Sequence, residues 1–229
     1  MAAPRWTSIL ALLAVLLPAL ARAELPWQFD QHTRYMALGD SLSAGYGAVP
    51  ATQGFVYLLY QSGVFDSVPN TLFANAAVPG ATSRQVLDHQ APQATEAFRP
   101  TVITLTVGGN DLLRILNGAD PYLVLAEFAA NLTQILTRLR TELPQARIYL
   151  GNLYTISEIP GADQIVPQFN QILAQVAGAF QVPVADVYGE FYGRGGLLLI
   201  ERHGAGQYEV HPTNAGYRAM AKAFEAVIP

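Results

Sequence analysis

A short apolar run leads directly into a glycine-containing turn in the stretch Arg34-Tyr35-Met36-Ala37-Leu38-Gly39-Asp40-Ser41-Leu42. The run Arg34–Leu38 predicts a buried strand, and the turn presents Ser41 just after that strand ends. Runs of the same character recur along the chain, and they predict four further strands: Thr71–Asn75, Val102–Val107, Arg147–Asn152 and Val182–Val187.

Longer helical patterns separate these strands. In the longest of them, apolar residues recur at spacings of three and four, as the core-facing side of a helix requires. Strands that alternate with helices predict a parallel sheet covered by helices on both faces. The predicted helices are Gln53–Gln61, Ser83–His89, Pro121–Glu142, Gln164–Phe180 and Thr213–Ala226.

Composition limits the classes of protein that this chain can be. It has 229 residues, of which 51% are hydrophobic and 13% charged, so we expect one folded domain with a sizeable core. A net charge of -4 provides no excess of positive charge for binding nucleic acid. The absence of cysteine excludes disulfides, thiolate nucleophiles and cysteine-bound metal centres. The sequence favours a monomer, but it does not determine the oligomeric state.

The first residues have the pattern of a secretory signal. Arg5 provides a positive start, Ile9–Leu20 is an apolar run, and Ala21-Arg22-Ala23 matches the small-residue cleavage pattern. The apolar run is shorter than the roughly 20 residues of a membrane span, so we expect no stable membrane anchor. The sequence therefore predicts a signal peptide at residues 1–23 and an exported domain at residues 24–229, in a periplasm or in the medium.

Polar and glycine-rich segments follow three of the predicted strands, and a fourth precedes the last helix. Parallel strands end at one edge of a sheet, where such folds bind their ligands, so we expect these segments to meet. Together they supply a serine, a histidine, an amide side chain and mobile glycine backbone, which are the groups that acyl transfer needs. The segments are Gly39–Gly47, Asn75–Thr82, Gly108–Asp111 and His211–Tyr217.

These four segments, in this order, resemble the SGNH hydrolase family, also called GDSL esterases and lipases. The resemblance covers essentially the whole chain after residue 23 and implies a flavodoxin-like three-layer αβα sandwich with a five-stranded parallel sheet. It also implies that Ser41 is the nucleophile and His211 the general base. The implied oxyanion hole consists of the Ser41 N–H, the Gly80 N–H and the Asn110 amide. Families of this type use no cofactor and no metal.

The sequence departs from the family pattern at the acid of the triad. The family usually carries Asp three residues before the histidine, whereas this chain has Tyr208 there and Glu209 two residues before His211. Glu209 is our first candidate for the group that orients the imidazole. A backbone carbonyl and the more distant Asp186 are the alternatives.

Several apolar residues are candidates for lining the substrate site, namely Leu112 after the Asn110 segment, and Tyr154 and Ile156 after the fourth strand. Each of them is equally explained by core packing. If they face the site, they favour esters of short-to-medium acyl chains or lysophospholipids, and we expect a small-molecule or lipid ester as the substrate. The glycine-rich segment Tyr188–Gly206 is predicted as a flap or a surface connection.

Three alternatives to a serine esterase stay open on the sequence. A carbohydrate deacetylase or a thioesterase would use the same residues on a different ester. The third is a surface binding module that has lost turnover. The presence of Tyr208, where the family usually has the triad aspartate, would indicate such a loss.

Overall fold

The computed structural model describes residues 32–66, 70–157, 159–202 and 208–229. The predicted signal peptide at residues 1–23 lies outside them. Residues Thr33–Pro229 form one compact unit. Its strands are β1 (Thr33–Gly39), β2 (Thr71–Asn75), β3 (Val102–Thr106), β4 (Arg147–Gly151), β5 (Val184–Ala185), β6 (Leu198–Arg202) and β7 (Tyr208–Pro212).

Helices follow most of these strands. They are α1 (Ser41–Ala44), α2 (Phe55–Ser62), α3 (Ser83–Gln85), α4 (Gly109–Leu116), α5 (Pro121–Glu142), α6 (Ala162–Ala179), α7 (Val187–Phe191) and α8 (Asn214–Glu225). Helix α3 continues into two π-helical segments, Val86–Gln90 and Gln93–Phe98. The predicted helix Ser83–His89 therefore begins at the right residue but changes its winding after one turn.

The first five strands form one parallel sheet in the order β2-β1-β3-β4-β5. Every residue of the central strand β3 is buried, as a strand covered on both faces requires. The five strands predicted from the sequence, and the parallel sheet built from them, are confirmed.

Alternation along β1 divides the interior into two apolar layers. Tyr35 and Ala37 point into a core shared with the α2 and α8 residues Phe55 and Phe224, whose rings stack 4.9 Å apart. Met36 and Leu38 point into the opposite core, which contains the apolar faces of α5 and α6. A strand turns successive side chains to opposite faces, so helices cover both sides of the sheet. The predicted three-layer αβα sandwich is confirmed.

The main difference from the sequence prediction lies between α7 and α8. Here β6 and β7 pair antiparallel and form a separate two-stranded sheet, with Leu199 opposite His211. The predicted flap or connection Tyr188–Gly206 thus contains α7 and β6, and the histidine lies on a strand instead of in the loop before a helix. Among the described residues, no helix has both the length and the apolar composition needed to cross a membrane.

Candidate active site

A cleft of about 560 Å³ opens beside the carboxyl ends of the central strands. This volume is typical of small-molecule sites. All the candidate site residues named from the sequence except the alternative acid Asp186 line it: Ser41, Gly80, Asn110, Leu112, Tyr154, Ile156, Glu209 and His211.

Ser41 is the first residue of α1, directly after β1. The preceding Asp40 caps this helix, because its carboxylate accepts a hydrogen bond from the Leu42 N–H at 3.0 Å. Asp40 also accepts a hydrogen bond from the Thr106 hydroxyl at 2.9 Å, and Thr106 in turn contacts the Ser43 hydroxyl at 2.8 Å. These bonds fix the turn that carries Ser41 to the end of β3.

The backbone before Ser41 tolerates only glycine. Gly39 has a φ of +131°, and a Cβ atom placed on it would lie 2.1 Å from the Thr106 carbonyl oxygen. Gln90 holds the same residue from the other side, since its amide accepts from the Gly39 N–H at 2.6 Å and donates to the Gly39 carbonyl at 2.8 Å. The Ser41 turn is therefore clamped between β3 and the π-helical segment.

Burial raises the pKa of the Asp40 carboxyl to about 6, although its hydrogen bonds to Leu42 and Thr106 oppose the shift. The carboxylate thus organises the turn at the cost of desolvation. Asp40 and Asp111 both accept backbone N–H bonds, Asp111 from the Ser83 N–H at 2.8 Å.

Gly80 and Asn110 approach the cleft from the loop after β2 and from the first turn of α4. Gly80 has a φ of +82°, and no atom lies within 4 Å of the position where a Cβ would stand. The Asn110 amide donates one hydrogen bond to the Ala81 carbonyl at 2.9 Å. A carboxamide has two N–H donors, so this bond orients the group while engaging one of them.

A buried polar network keeps these two segments together. Asp111 accepts hydrogen bonds from both the N–H and the hydroxyl of Ser83, the latter at 2.7 Å. Asn131 on α5 donates to the same hydroxyl at 3.0 Å. Because Asp111 follows Asn110 and Ser83 lies just after Gly80, the network fixes the distance between the two segments. Buried networks of this kind are rigid when every member has a partner.

His211 and Glu209 both lie on β7, two positions apart. Alternate residues of a strand share one face, so the two side chains meet, with Glu209 Oε1 3.6 Å from His211 Nδ1. A side chain three positions before a histidine could not share its face in a strand. Strand geometry thus explains why an acid two residues before His211 is the one that reaches it.

Burial lowers the pKa of His211, and the negative charge of Glu209 acts in the opposite direction. Only 17% of the His211 side chain is exposed to solvent. The imidazole is therefore neutral near neutral pH, which is the form that can accept a proton.

Asp186 is placed differently from Glu209. Its carboxylate caps α7 by accepting from the Gly189 N–H at 3.0 Å, and it accepts from the Asn152 amide at 2.9 Å. It is not among the residues that line the cleft. Of the two acids considered from the sequence, the geometry thus favours Glu209. Within the described part of the chain, no group of three His, Asp or Glu side chains is placed to hold a metal ion.

One residue of the cleft was not singled out from the sequence. Tyr46 lies just after α1, and its ring is 4.5 Å from the imidazole of His211. Its position on the turn after Ser41 was the one feature of the sequence that could have marked Tyr46 as a cleft residue. A tyrosine at this position is otherwise indistinguishable from a surface tyrosine.

The rest of the cleft is apolar. Its walls come from α4, from the segment after β4 and from the start of α6, and they add Leu113, Leu116, Leu153, Ile159, Ala162 and Val166 to the three residues expected from the sequence. Ser41, Asn110 and His211 thus line the same cleft as this apolar wall.

The fold and this cleft define an ester hydrolase. The family model for GDSL-like lipases and acylhydrolases matches residues 37–219, and the chain belongs to this family. The spore germination lipase LipC of Bacillus licheniformis is 31% identical over 211 residues, which cover 84% of this chain and 95% of the relative.

Solved structures agree with this assignment. A lipase from a goat rumen metagenome superposes with a TM-score of 0.70 at 28% identity, covering 85% of this chain and 97% of the other. A member of the lipolytic G-D-S-L family from Veillonella parvula gives a TM-score of 0.64 at 25% identity, covering 83% and 95%.

The geometry of β7 predicts how His211 titrates. In the wild type, we expect an NMR titration to place the pKa of His211 below the ordinary value for histidine, because burial lowers it. In Glu209→Gln the pKa falls further, because the charge that raises it is gone. Glu96→Gln is the control, since Glu96 pairs with Arg138 on α5 and is not part of the cleft. An unchanged pKa in Glu209→Gln would show that the carboxylate does not act on the imidazole.

Proposed function

We propose that the protein is a serine esterase in which Ser41 forms an acyl-enzyme and His211 is the general base. The observation that carries this proposal is a single cleft lined by Ser41, Gly80, Asn110 and His211 together with many apolar side chains. Each group comes from a different segment of the chain, so their convergence is a property of the fold and not of one local motif.

In the proposed reaction, His211 takes the proton from the Ser41 hydroxyl as its oxygen attacks the ester carbonyl carbon. The carbonyl oxygen becomes an oxyanion, which accepts hydrogen bonds from the Ser41 N–H, the Gly80 N–H and the Asn110 amide. The C–O bond to the alcohol then breaks, and His211 returns its proton to the leaving oxygen. Water, deprotonated by the same imidazole, releases the acid and restores Ser41.

Glu209 acts in this proposal as the acid that orients His211. Its carboxylate is near Nδ1, which leaves Nε2 to exchange the proton with Ser41. A negative charge beside the ring stabilises the imidazolium formed during attack. The backbone carbonyl considered from the sequence is the alternative partner for the Nδ1 hydrogen.

The channel along α4 supports an acyl chain of short to medium length as the substrate. Asn110, Leu113 and Leu116 follow one face of this helix at spacings of three, and six residues of helix span about 9 Å. Leu116 lines the same cleft as Ala162 and Val166 on α6. An alkyl chain attached to a carbonyl at Ser41 would run along this wall, as in a fatty acyl or lysophospholipid ester.

The same apolar wall helps to distinguish the serine esterase from a carbohydrate deacetylase, a thioesterase and a binding module. A carbohydrate deacetylase needs space for a polar sugar and only a small acyl site, so the long apolar channel favours the lipid-type ester. A thioester has the same acyl group, and comparison of matched esters and thioesters separates the two. A binding module without turnover would bind ligands in this cleft but would form no covalent acyl-enzyme.

Substitution of Ser41 and Asn110 tests the mechanism directly. With p-nitrophenyl octanoate, Ser41→Ala should abolish turnover, and Asn110→Ala should lower kcat by about 10²–10³ because one oxyanion donor is lost. Ser62→Ala is the matched control, since Ser62 ends α2 and does not line the cleft. Equal activity of Ser41→Ala and the wild type would overturn the proposed nucleophile, and absence of turnover in both would favour the binding module.

The apolar wall along α4 predicts a chain-length preference. With p-nitrophenyl esters from acetate to palmitate, we expect the highest kcat/KM near octanoate, because about 9 Å of helix lines the channel. Leu116→Trp should move the optimum to butyrate or acetate, because the larger side chain would fill the space beside the last turn of α4. Leu123→Trp, on an exposed position of α5, should leave the profile unchanged. An unchanged profile in Leu116→Trp would exclude this wall as the acyl site.

We also propose that the enzyme acts outside the cytoplasm after removal of residues 1–23. The support is the basic start, the apolar run Ile9–Leu20 and the small residues before Glu24. Expressed at full length in a secreting bacterial host, the exported protein should begin at Glu24 by mass spectrometry. Ala23→Trp should block cleavage by occupying the small-residue position. An intact N-terminus on cytoplasmic wild-type protein would contradict export.

A further inference from the structure

Tyr46 contacts both halves of the proposed catalytic apparatus. Its backbone N–H donates to the carbonyl of Ser41 at 2.9 Å, which fixes it to the turn of the nucleophile. Its ring packs against His211 with centroids 4.5 Å apart and planes tilted by 45°. Its hydroxyl faces the carboxylate of Glu209, whose interaction with it raises the pKa of Tyr46.

The backbone of Tyr46 is itself held from the interior. The hydroxyl of Tyr217, a residue of α8 with no exposed surface, donates to the Tyr46 carbonyl at 2.7 Å. The side chain of Tyr46 remains 47% exposed at the mouth of the cleft. An exposed aromatic residue whose main chain is fixed at both its N–H and its carbonyl is well placed to restrain its neighbours.

We propose that Tyr46 is a positioning residue that holds Glu209 and His211 in the geometry required by Ser41. This inference rests on the proposed function of Ser41 and His211, and it goes beyond it by assigning a role to a residue that the resemblance leaves without one.

The physical need for such a residue follows from the acid that this chain uses. Glutamate has one more rotatable bond than aspartate, so more conformational entropy is lost when its carboxylate is held against an imidazole. Glu209 is also 35% exposed, so packing alone does not immobilise it. A hydrogen bond from the Tyr46 hydroxyl limits the positions of the carboxylate, and the ring limits rotation of the imidazole.

The phenol can serve as a donor throughout the working pH range. Its hydrogen bond to Glu209, together with the negative charges of Glu209 and Glu201, raises the pKa of Tyr46 above its ordinary value. The hydroxyl therefore keeps its proton, and a charged acceptor makes the bond stronger than one between neutral groups.

A double-mutant cycle between Tyr46 and Glu209 tests the proposal. The variants are Tyr46→Phe, Glu209→Gln and the double variant, each measured for kcat and KM on p-nitrophenyl octanoate. Tyr46→Phe keeps the ring and removes only the hydroxyl. We expect it to lower kcat by about ten- to a hundredfold with KM nearly unchanged, as loss of a hydrogen bond to a charged group implies.

The decisive result is the effect of Tyr46→Phe in the Glu209→Gln background. If the tyrosine acts through the carboxylate, the second substitution should have little further effect, so the two losses should not multiply. Tyr46→Leu, which also removes the ring, should lower kcat more than Tyr46→Phe does. Tyr122→Phe is the matched control, because Tyr122 is 86% exposed on α5 and remote from the cleft lining.

Three results would overturn the inference: an unchanged kcat in Tyr46→Phe, losses that multiply across the cycle, or a rise in KM with kcat unchanged. The last would make Tyr46 a substrate contact. Thermal unfolding of each variant separates these effects from a loss of folded protein. Failure of the proposed function is distinguishable, because it would appear first as wild-type turnover that does not depend on Ser41.

Discussion

The junction between Gly39 and Thr106 is the contact on which the site depends. These residues end the neighbouring strands β1 and β3 and are paired in register. At this point the two backbones approach so closely that a single added carbon would collide with a carbonyl oxygen. The Thr106 hydroxyl then donates to Asp40, which caps the helix that Ser41 begins. The placement of Ser41 is thus determined by packing at the centre of the sheet.

The same junction also determines where Asn110 lies relative to Ser41. Strand β3 continues from Thr106 into α4, whose first turn carries Asn110. A displacement between β1 and β3 would therefore change the distance between the serine and the amide directly. Asp40 remains buried there although burial raises its pKa to about 6. Sites that must hold a fixed geometry commonly accept such a cost in stability.

Much of this arrangement could be predicted from the sequence, because it is encoded by local patterns. Apolar runs with strand character located the five parallel strands, and the period of apolar residues located α5 with its observed bounds, Pro121–Glu142. The residues of the cleft were predictable since parallel strands bring their carboxyl ends to one edge. The resemblance to a known family then assigned roles that the residue types alone leave open.

What could not be predicted depends on long-range pairing or on side-chain contacts across the fold. The hairpin of β6 and β7 was missed because glycines dominate the segment before β6, and a strand paired only with one partner carries a weak pattern. The π-helical turns after Gln85 have no periodic signal of their own. Tyr46 was not singled out, since its role depends on neighbours more than 160 residues away in the chain.

The hairpin also changes how the missing aspartate should be interpreted. In a loop or helical turn, an acid three residues before a histidine can fold back onto it, whereas in a strand only the second residue before it shares its face. The structure has a strand at this position, and the chain has its acid at the matching spacing. In the proposed function, Tyr208 is therefore no sign of a lost triad, because the acid lies at the spacing that a strand requires. The longer Glu209 side chain is the remaining difference, and Tyr46, whose pKa its carboxylate raises, is the residue that we propose to restrain it.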